Sequence, residues 1–191
     1  MDTRNIMIVG VGGQGTLLAS KLLGHVLVSC GYDVKVSEVH GMSQRGGSVV
    51  TYVRYGEKVY SPVIDKGEAD IILSFEKLEA ARWLEYLKPG GQIITNTQEV
   101  MPMPVVTGQA QYPEELVEKM RQAGARVDAE DFLAIADRAG SVKAVNIALI
   151  GRLSNYFPEI GQEVWEKAIE CVVPEKFREL NRRAFELGRQ A

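Results

Sequence analysis

Chemistry in this chain begins with Gly10-Val11-Gly12-Gly13-Gln14-Gly15, a G-x-G-x-x-G turn that follows a short apolar run and opens a helical pattern. In that setting the first glycine permits a tight turn and the second lets a phosphate approach the backbone. The third lets the helix pack close to the strand, and the helix N-terminus favours negative charge. Glu38 falls where a ribose-binding carboxylate would stand, so the bare pattern reads as NAD or FAD binding. The plainer alternative is that the glycines only close the turn and Glu38 is a solvated strand-end carboxylate. A second constellation, Val39-His40-Gly41-Met42-Ser43-Gln44-Arg45-Gly46-Gly47, follows the next strand and should lie close to the first turn. Arg45 is its permanent charge and can hold two oxygens of an anion or partner at once, unless it forms only a surface ion pair. His40 can act near neutral pH or serve as a hydrogen-bonded structural residue.

Other residues read more plainly. His25 lies among apolar helical positions, and Glu76, Lys77 and Glu79 begin a helix as a solvated face. The mixed charges from Arg178 to Arg189 belong to another such face. Met101 and Met103, bracketed by prolines, are expected to be buried in a loop or to line a partner surface. Asn146, inside an apolar helical run, is expected to satisfy backbone or a neighbouring loop.

The elements that must position these residues alternate. Ile6 to Val9 reads as a strand buried on both faces, Gln14 to Cys30 as a helix stopped by Gly31, and Tyr32 to Glu38 as a strand parallel to the first. Ser48 to Tyr55 reads as a strand with Val59-Tyr60 as its hairpin partner. Ala69 to Phe75 (strand), Glu76 to Leu87 (helix), Lys88-Pro89-Gly90-Gly91 (turn) and Gln92 to Thr95 (strand) continue the alternation. A short strand is expected at Pro104 to Thr107 and a last one at Ala125 to Asp128. Helices are expected at Glu114 to Ala123, Glu130 to Ala139, Val142 to Tyr156, Gly161 to Cys171 and Glu175 to Arg189. The pattern predicts a doubly wound, mostly parallel α/β sheet of Rossmann-like type, helices on both faces, and a helical C-terminal region from about residue 114 of a single domain, 1–191.

Composition narrows the function. In 191 residues, 46% hydrophobic and 25% charged, Lys+Arg 22 against Asp+Glu 25 gives a net charge of −3, the wrong sign for a dedicated nucleic-acid binder. Cys30 and Cys171 lie far apart with no C-x-x-C, which argues against a disulfide framework, a four-cysteine iron–sulfur site and a zinc ribbon, and favours a reducing compartment. Met1 to Asn5 leads into an apolar run too short for a signal peptide or membrane span. A soluble, cytoplasmic protein is expected, with neither nucleic acid nor membrane as a partner.

Taken together, Gly10 to Gly15 and Ser43-Gln44-Arg45-Gly46-Gly47 leading into a strand resemble the gamma-type subunit or domain of 2-oxoacid:ferredoxin oxidoreductases. The Gly-Met-Ser-Gln-Arg-Gly-Gly-Ser version is most similar to the beta subunit of indolepyruvate ferredoxin oxidoreductases, and the likeness spans nearly the whole chain. The resemblance implies CoA-dependent oxidative decarboxylation of an aryl 2-oxo acid, with electrons passing to ferredoxin. The family's thiamine diphosphate stretch, Gly-Asp-Gly followed by paired asparagines, is missing here, as are cysteines enough for a [4Fe–4S] cluster. Those cofactors are expected on a larger partner subunit, with CoA as co-substrate and no cofactor bound by this chain alone. The expected ligand- or partner-binding residues are Gly10, Gly12, Gly13, Gln14, Gly15, Ser43, Gln44, Arg45, Gly46 and Gly47. The rival readings are a stand-alone NAD(P)-binding dehydrogenase and a nucleotide-binding regulatory protein. The first lacks a plausible acid/base pair beyond His40.

Overall fold

The structure, a computed structural model, describes residues 3–39 and 46–191. Its strands are β1 (Arg4–Val11), β2 (Asp33–Val39), β3 (Ser48–Gly56), β4 (Ala69–Ser74), β5 (Leu87–Asn96) and β6 (Arg126–Glu130). They form one six-stranded sheet in the order β2-β3-β1-β4-β5-β6. β1, β4, β5 and β6 are parallel neighbours, and β3 runs antiparallel to both β1 and β2. The helices are α1 (Thr16–Ser29), α2 (Lys77–Arg82), α3 (Met103–Val106), α4 (Leu116–Gln122), α5 (Phe132–Ala139), α6 (Val145–Ser154), α7 (Gln162–Val172) and α8 (Arg178–Gln190).

Alternation along β1 sorts the core into two layers. Ile6 and Ile8 join Leu22, Leu73, Phe132, Leu149, Trp165 and Phe185 beneath α1 and α5 to α8, while Met7 and Val9 join Ile72, Ala80, Ile93 and Met120 beneath α2 and α4. The thicker layer is closed by α6 against α8, which meet backbone to backbone. A Cβ on Gly188 would lie 2.7 Å from the Ala148 carbonyl carbon, and one on Gly151 would lie 2.9 Å from that of Phe185. No helix among the described residues is long and apolar enough to cross a membrane.

The doubly wound reading holds, with five local corrections. β2 runs in the same sense as β1, but β3 separates them. β3 carries buried side chains on both faces, as an inner strand must, whereas β2 has no fully buried residue, with Val36 and Val39 exposed, and takes the edge. Val59-Tyr60 forms no hairpin partner, because the Val59 N–H donates to the Asp33 carboxylate instead, at 2.9 Å. The expected strand at Pro104 to Thr107 is α3, in which prolines occupy the N-cap and the first turn, where a missing N–H costs nothing. The stretch from Glu76 to Leu87 breaks into α2 and a 3-10 turn at Leu84–Tyr86. The turn expected at Lys88 to Gly91 is a bulge within β5: pairing steps from Ala69↔Leu87 directly to Ile71↔Gln92, with Gly90 at φ +75°.

Candidate functional site

β1 delivers the chain to the carboxyl edge of the sheet, and the glycine turn reverses it into α1. Gly13 (φ +102°) and Gly15 (φ +89°) hold left-handed conformations that explain glycine at both positions. Gly10 is required for a different reason. A Cβ there would lie 3.0 Å from the Phe75 Cβ and 2.9 Å from the Gln14 Oε1. Gln14 braces the turn from below: its Oε1 accepts from the Val11 N–H (2.7 Å), and its Nε2 donates to the Phe75 carbonyl (3.2 Å) and to Gln98 Oε1 (3.1 Å). Asn146, on α6, donates to the Gly15 carbonyl (3.4 Å) and accepts from the Ile147 N–H (2.9 Å), so it satisfies backbone as expected.

The two glycine motifs meet. The Gly12 N–H donates to the Gly47 carbonyl (2.8 Å), and the Gly46 N–H donates to the Gly12 carbonyl (3.2 Å). Beside this junction lies a cavity of about 350 Å³ lined by Gly12, Gly13, Gly15, Thr16, Leu17 and the strand residues Val39, Val49, Val50 and Thr51. No side chain caps α1, whose N-cap is Gly15, and the first-turn amides of a helix have no partner within it. The cavity wall therefore offers backbone donors, the positive end of a helix and two threonine hydroxyls, a set suited to binding an anionic or polar group, and among the described residues its lining holds no carboxylate, imidazole, amine or thiol for proton transfer.

Of the residues expected from sequence, Gly12, Gly13 and Gly15 line the cavity, Gly10 and Gln14 support it from beneath, and Gly46 and Gly47 tie it to β3. His40, Ser43, Gln44 and Arg45 lie outside the described residues. Glu38 does not stand beside the turn as a ribose site needs. β3 intervenes, placing it two strands, roughly 10 Å, from β1, and its Oε1 accepts from the Ser20 hydroxyl of α1 at 3.0 Å. Cys30 and Cys171 are both exposed and free, and no group of three or more His, Cys, Asp or Glu able to hold a metal lies among the described residues.

Sequence reasoning missed a buried carboxylate pair at the same edge of the sheet. Glu76 and Glu79 are 1% and 5% exposed rather than a solvated face. Glu76 caps α2 by accepting from the Glu79 N–H (2.8 Å), and it also takes bonds from the Tyr112 hydroxyl and the Val100 N–H (3.4 Å). It thereby fastens the 97–115 excursion to the sheet. Burial, then the bond to Glu76, pushes the Tyr112 phenol far above its ordinary value. Glu79 accepts from the Ser48 hydroxyl and pairs with Arg82 (3.4 Å), yet burial outweighs both and raises its carboxyl. The signal for Glu76 was its position directly after a buried strand, three residues before a second glutamate, where a side chain can cap a helix. Lys77 is partly buried and pairs with Glu99 (2.6 Å), and Met103 is 70% exposed on α3.

Residues 5–191 match the family profile described as Pyruvate ferredoxin/flavodoxin oxidoreductase. The chain belongs to that family. Among relatives in the pyruvate ferredoxin/flavodoxin oxidoreductase family, the indolepyruvate oxidoreductase subunit IorB of Thermococcus kodakarensis is 46% identical over 198 residues, covering 100% of this chain and 96% of its own. The gamma subunit of a keto/oxoacid ferredoxin oxidoreductase from Geobacter sulfurreducens shares the fold at a TM-score of 0.73 and 23% identity, over 98% of this chain and 96% of that one. A 2-oxoglutarate:ferredoxin oxidoreductase from Magnetococcus marinus, solved with 2-oxoglutarate, coenzyme A and succinyl-CoA bound, shares it at 0.77 and 18% identity. This chain is covered in full by that likeness but spans only 31% of that longer one, so the fold of this family occurs both as a separate chain and as part of a larger chain.

Proposed function

We propose that this chain is the accessory subunit of a cytoplasmic 2-oxoacid:ferredoxin oxidoreductase acting on indolepyruvate or another aryl pyruvate. The likeness to IorB over the full chain supports that class of substrate. The enzyme converts the 2-oxo acid and CoA to an acyl-CoA and carbon dioxide, and its electrons pass to ferredoxin. On this reading the larger subunit carries thiamine diphosphate and [4Fe–4S] clusters, and the present chain contributes a wall of the CoA path rather than a reacting group.

The observation that carries the reading is the junction of the two glycine motifs around an uncapped helix start. Backbone donors and a positive helix end suit a phosphate or the amides of CoA, and among the described residues the cavity lining contains no group for redox or proton transfer. Arg45, which directly precedes Gly46 in sequence, is the cation we assign to that ligand or to an acidic residue of the larger subunit, with Ser43 and Gln44 shaping the loop.

The test is isolation of the complex through a tag on this chain, followed by dye reduction with indolepyruvate, phenylpyruvate, pyruvate and 2-oxoglutarate. We expect a larger thiamine- and iron–sulfur-bearing subunit to co-purify, aryl pyruvates to be preferred, and Gly13→Val, which places a side chain in the cavity wall, to raise the KM for CoA more than that for the 2-oxo acid. Tight NAD(H) binding by the isolated chain, with no co-purifying subunit, would overturn the proposal.

A further inference from the structure

A second cavity, with a lining of its own, lies on the helical face. It encloses about 260 Å³ between the first turns of α1, the start of α6 and the junction of α7 with α8, with an apolar wall of Leu18, Val173, Pro174, Phe177 and Leu180. For scale, an apolar cavity of about 150 Å³ accepts benzene, so this one has room for a one- or two-ring body. Four polar side chains, Ser141, Lys143, Asn146 and Asn181, interrupt the wall, and the Ser141 hydroxyl accepts from the Lys143 N–H (3.3 Å). Asn146 has spent both ends of its amide on the Gly15 carbonyl and the Ile147 N–H. Asn181 has not: it is 7% exposed and donates to the Phe177 carbonyl (2.8 Å), but its Oδ1 accepts no hydrogen bond among the described residues. That oxygen is not sealed from solvent, so a ligand N–H or O–H entering the cavity can reach it. At the rim, Lys143 is exposed and has no acidic partner among the described residues, and a second cation, Lys176, stands 4.9 Å above the Phe177 ring.

We propose that this cavity is a binding site for a small aromatic carboxylate that also carries a hydrogen-bond donor. The ring fills the apolar wall, the donor meets Asn181 Oδ1, and the carboxylate pairs with Lys143 at the mouth. Phe177, half-exposed at the mouth, is covered by the ligand. The site is separate from the glycine cavity, and the inference stands whether or not that cavity binds CoA.

Hydroxynaphthoate, naphthoate and hydroxynaphthamide serve as probes, read by methyl-selective NMR on the full chain and by calorimetry. For a ligand of this size, the efficiency of small molecules sets a Kd of about 0.1 to 1 mM for hydroxynaphthoate. We expect shifts at the methyls of Leu18, Val173 and Leu180, and weaker binding of naphthoate, which lacks the donor. Hydroxynaphthamide and the Lys143→Gln variant should each bind about fivefold more weakly, with little further loss when the two are combined. The exposed Lys143→Gln change leaves the melting temperature in place, so its effect is read on folded protein, and the wild-type shifts locate the site without any variant. Absence of shifts at those methyls at 5-fold the highest expected Kd, or equal affinity for acid and amide, would overturn the proposal. So would loss of binding once the chain is assembled in its complex, which would assign the cavity to a protein side chain.

Discussion

Replacing Gly15 with alanine probes the contact that fixes the glycine turn to the helical layer. Two costs add. The residue sits at φ +89°, where an L side chain pays roughly 1 to 2 kcal/mol. The new Cβ would also lie 2.7 Å from the Asn146 Nδ2, so the amide must move and its bond to the Gly15 carbonyl is lost, for a further ~0.5 to 1.5 kcal/mol. Together they give a destabilisation of about 1.5 to 3.5 kcal/mol. In an Asn146→Ala background the obstruction and the bond are already gone, so Gly15→Ala should cost only the backbone share, and the cycle should return a coupling of about 1 kcal/mol. Urea denaturation of the four proteins measures it. The same cost in both backgrounds would show that Asn146 does not hold the turn, and a neutral Gly15→Ala would refute the left-handed conformation itself.

Gly188→Ala should be among the most damaging small substitutions in the chain, costing about 3 kcal/mol in urea denaturation, because its Cβ meets Ala148 backbone that has no room to yield; a loss under about 1 kcal/mol would contradict the α6–α8 packing. Glu79 gives a pH signature. Its carboxyl is raised by burial above the ordinary 4.5, so the folded chain holds the proton longer than the unfolded one. Stability of the wild type should therefore fall, relative to Glu79→Gln, as pH rises from about 4.5 through the folded value, and then run level to pH 8; a wild type that gains on the variant over that window would reverse the sign and refute the argument.

The strand, glycine turn and helix at the start of the chain were legible because a φ near +90° and a Cβ-free approach leave few residue types to choose from. Strand order was harder to read. β3 displaces β2 from β1 because both of its faces are buried, a property set by α1 and the layers around it rather than by the connection that precedes it. The stretch Pro104 to Thr107 reads as a strand because Pro104 fits extended chain and a first helical turn equally well. Glu76 and Glu79 escaped notice for a nonlocal reason: their partners Tyr112 and Ser48 lie 36 and 31 residues away, and no window around a helix start contains them. The contact of the two glycine motifs, by contrast, was foreseeable, since both belong to the carboxyl edge of one sheet.

The most direct test of the account is a reconstitution in which the larger subunit is assayed for 2-oxo-acid- and CoA-dependent dye reduction with and without this chain. We predict that neither component turns over alone, that activity returns on mixing, and that it saturates at a fixed ratio of the two. Full turnover by the larger subunit in the absence of this chain would contradict the claim that the present fold completes the enzyme.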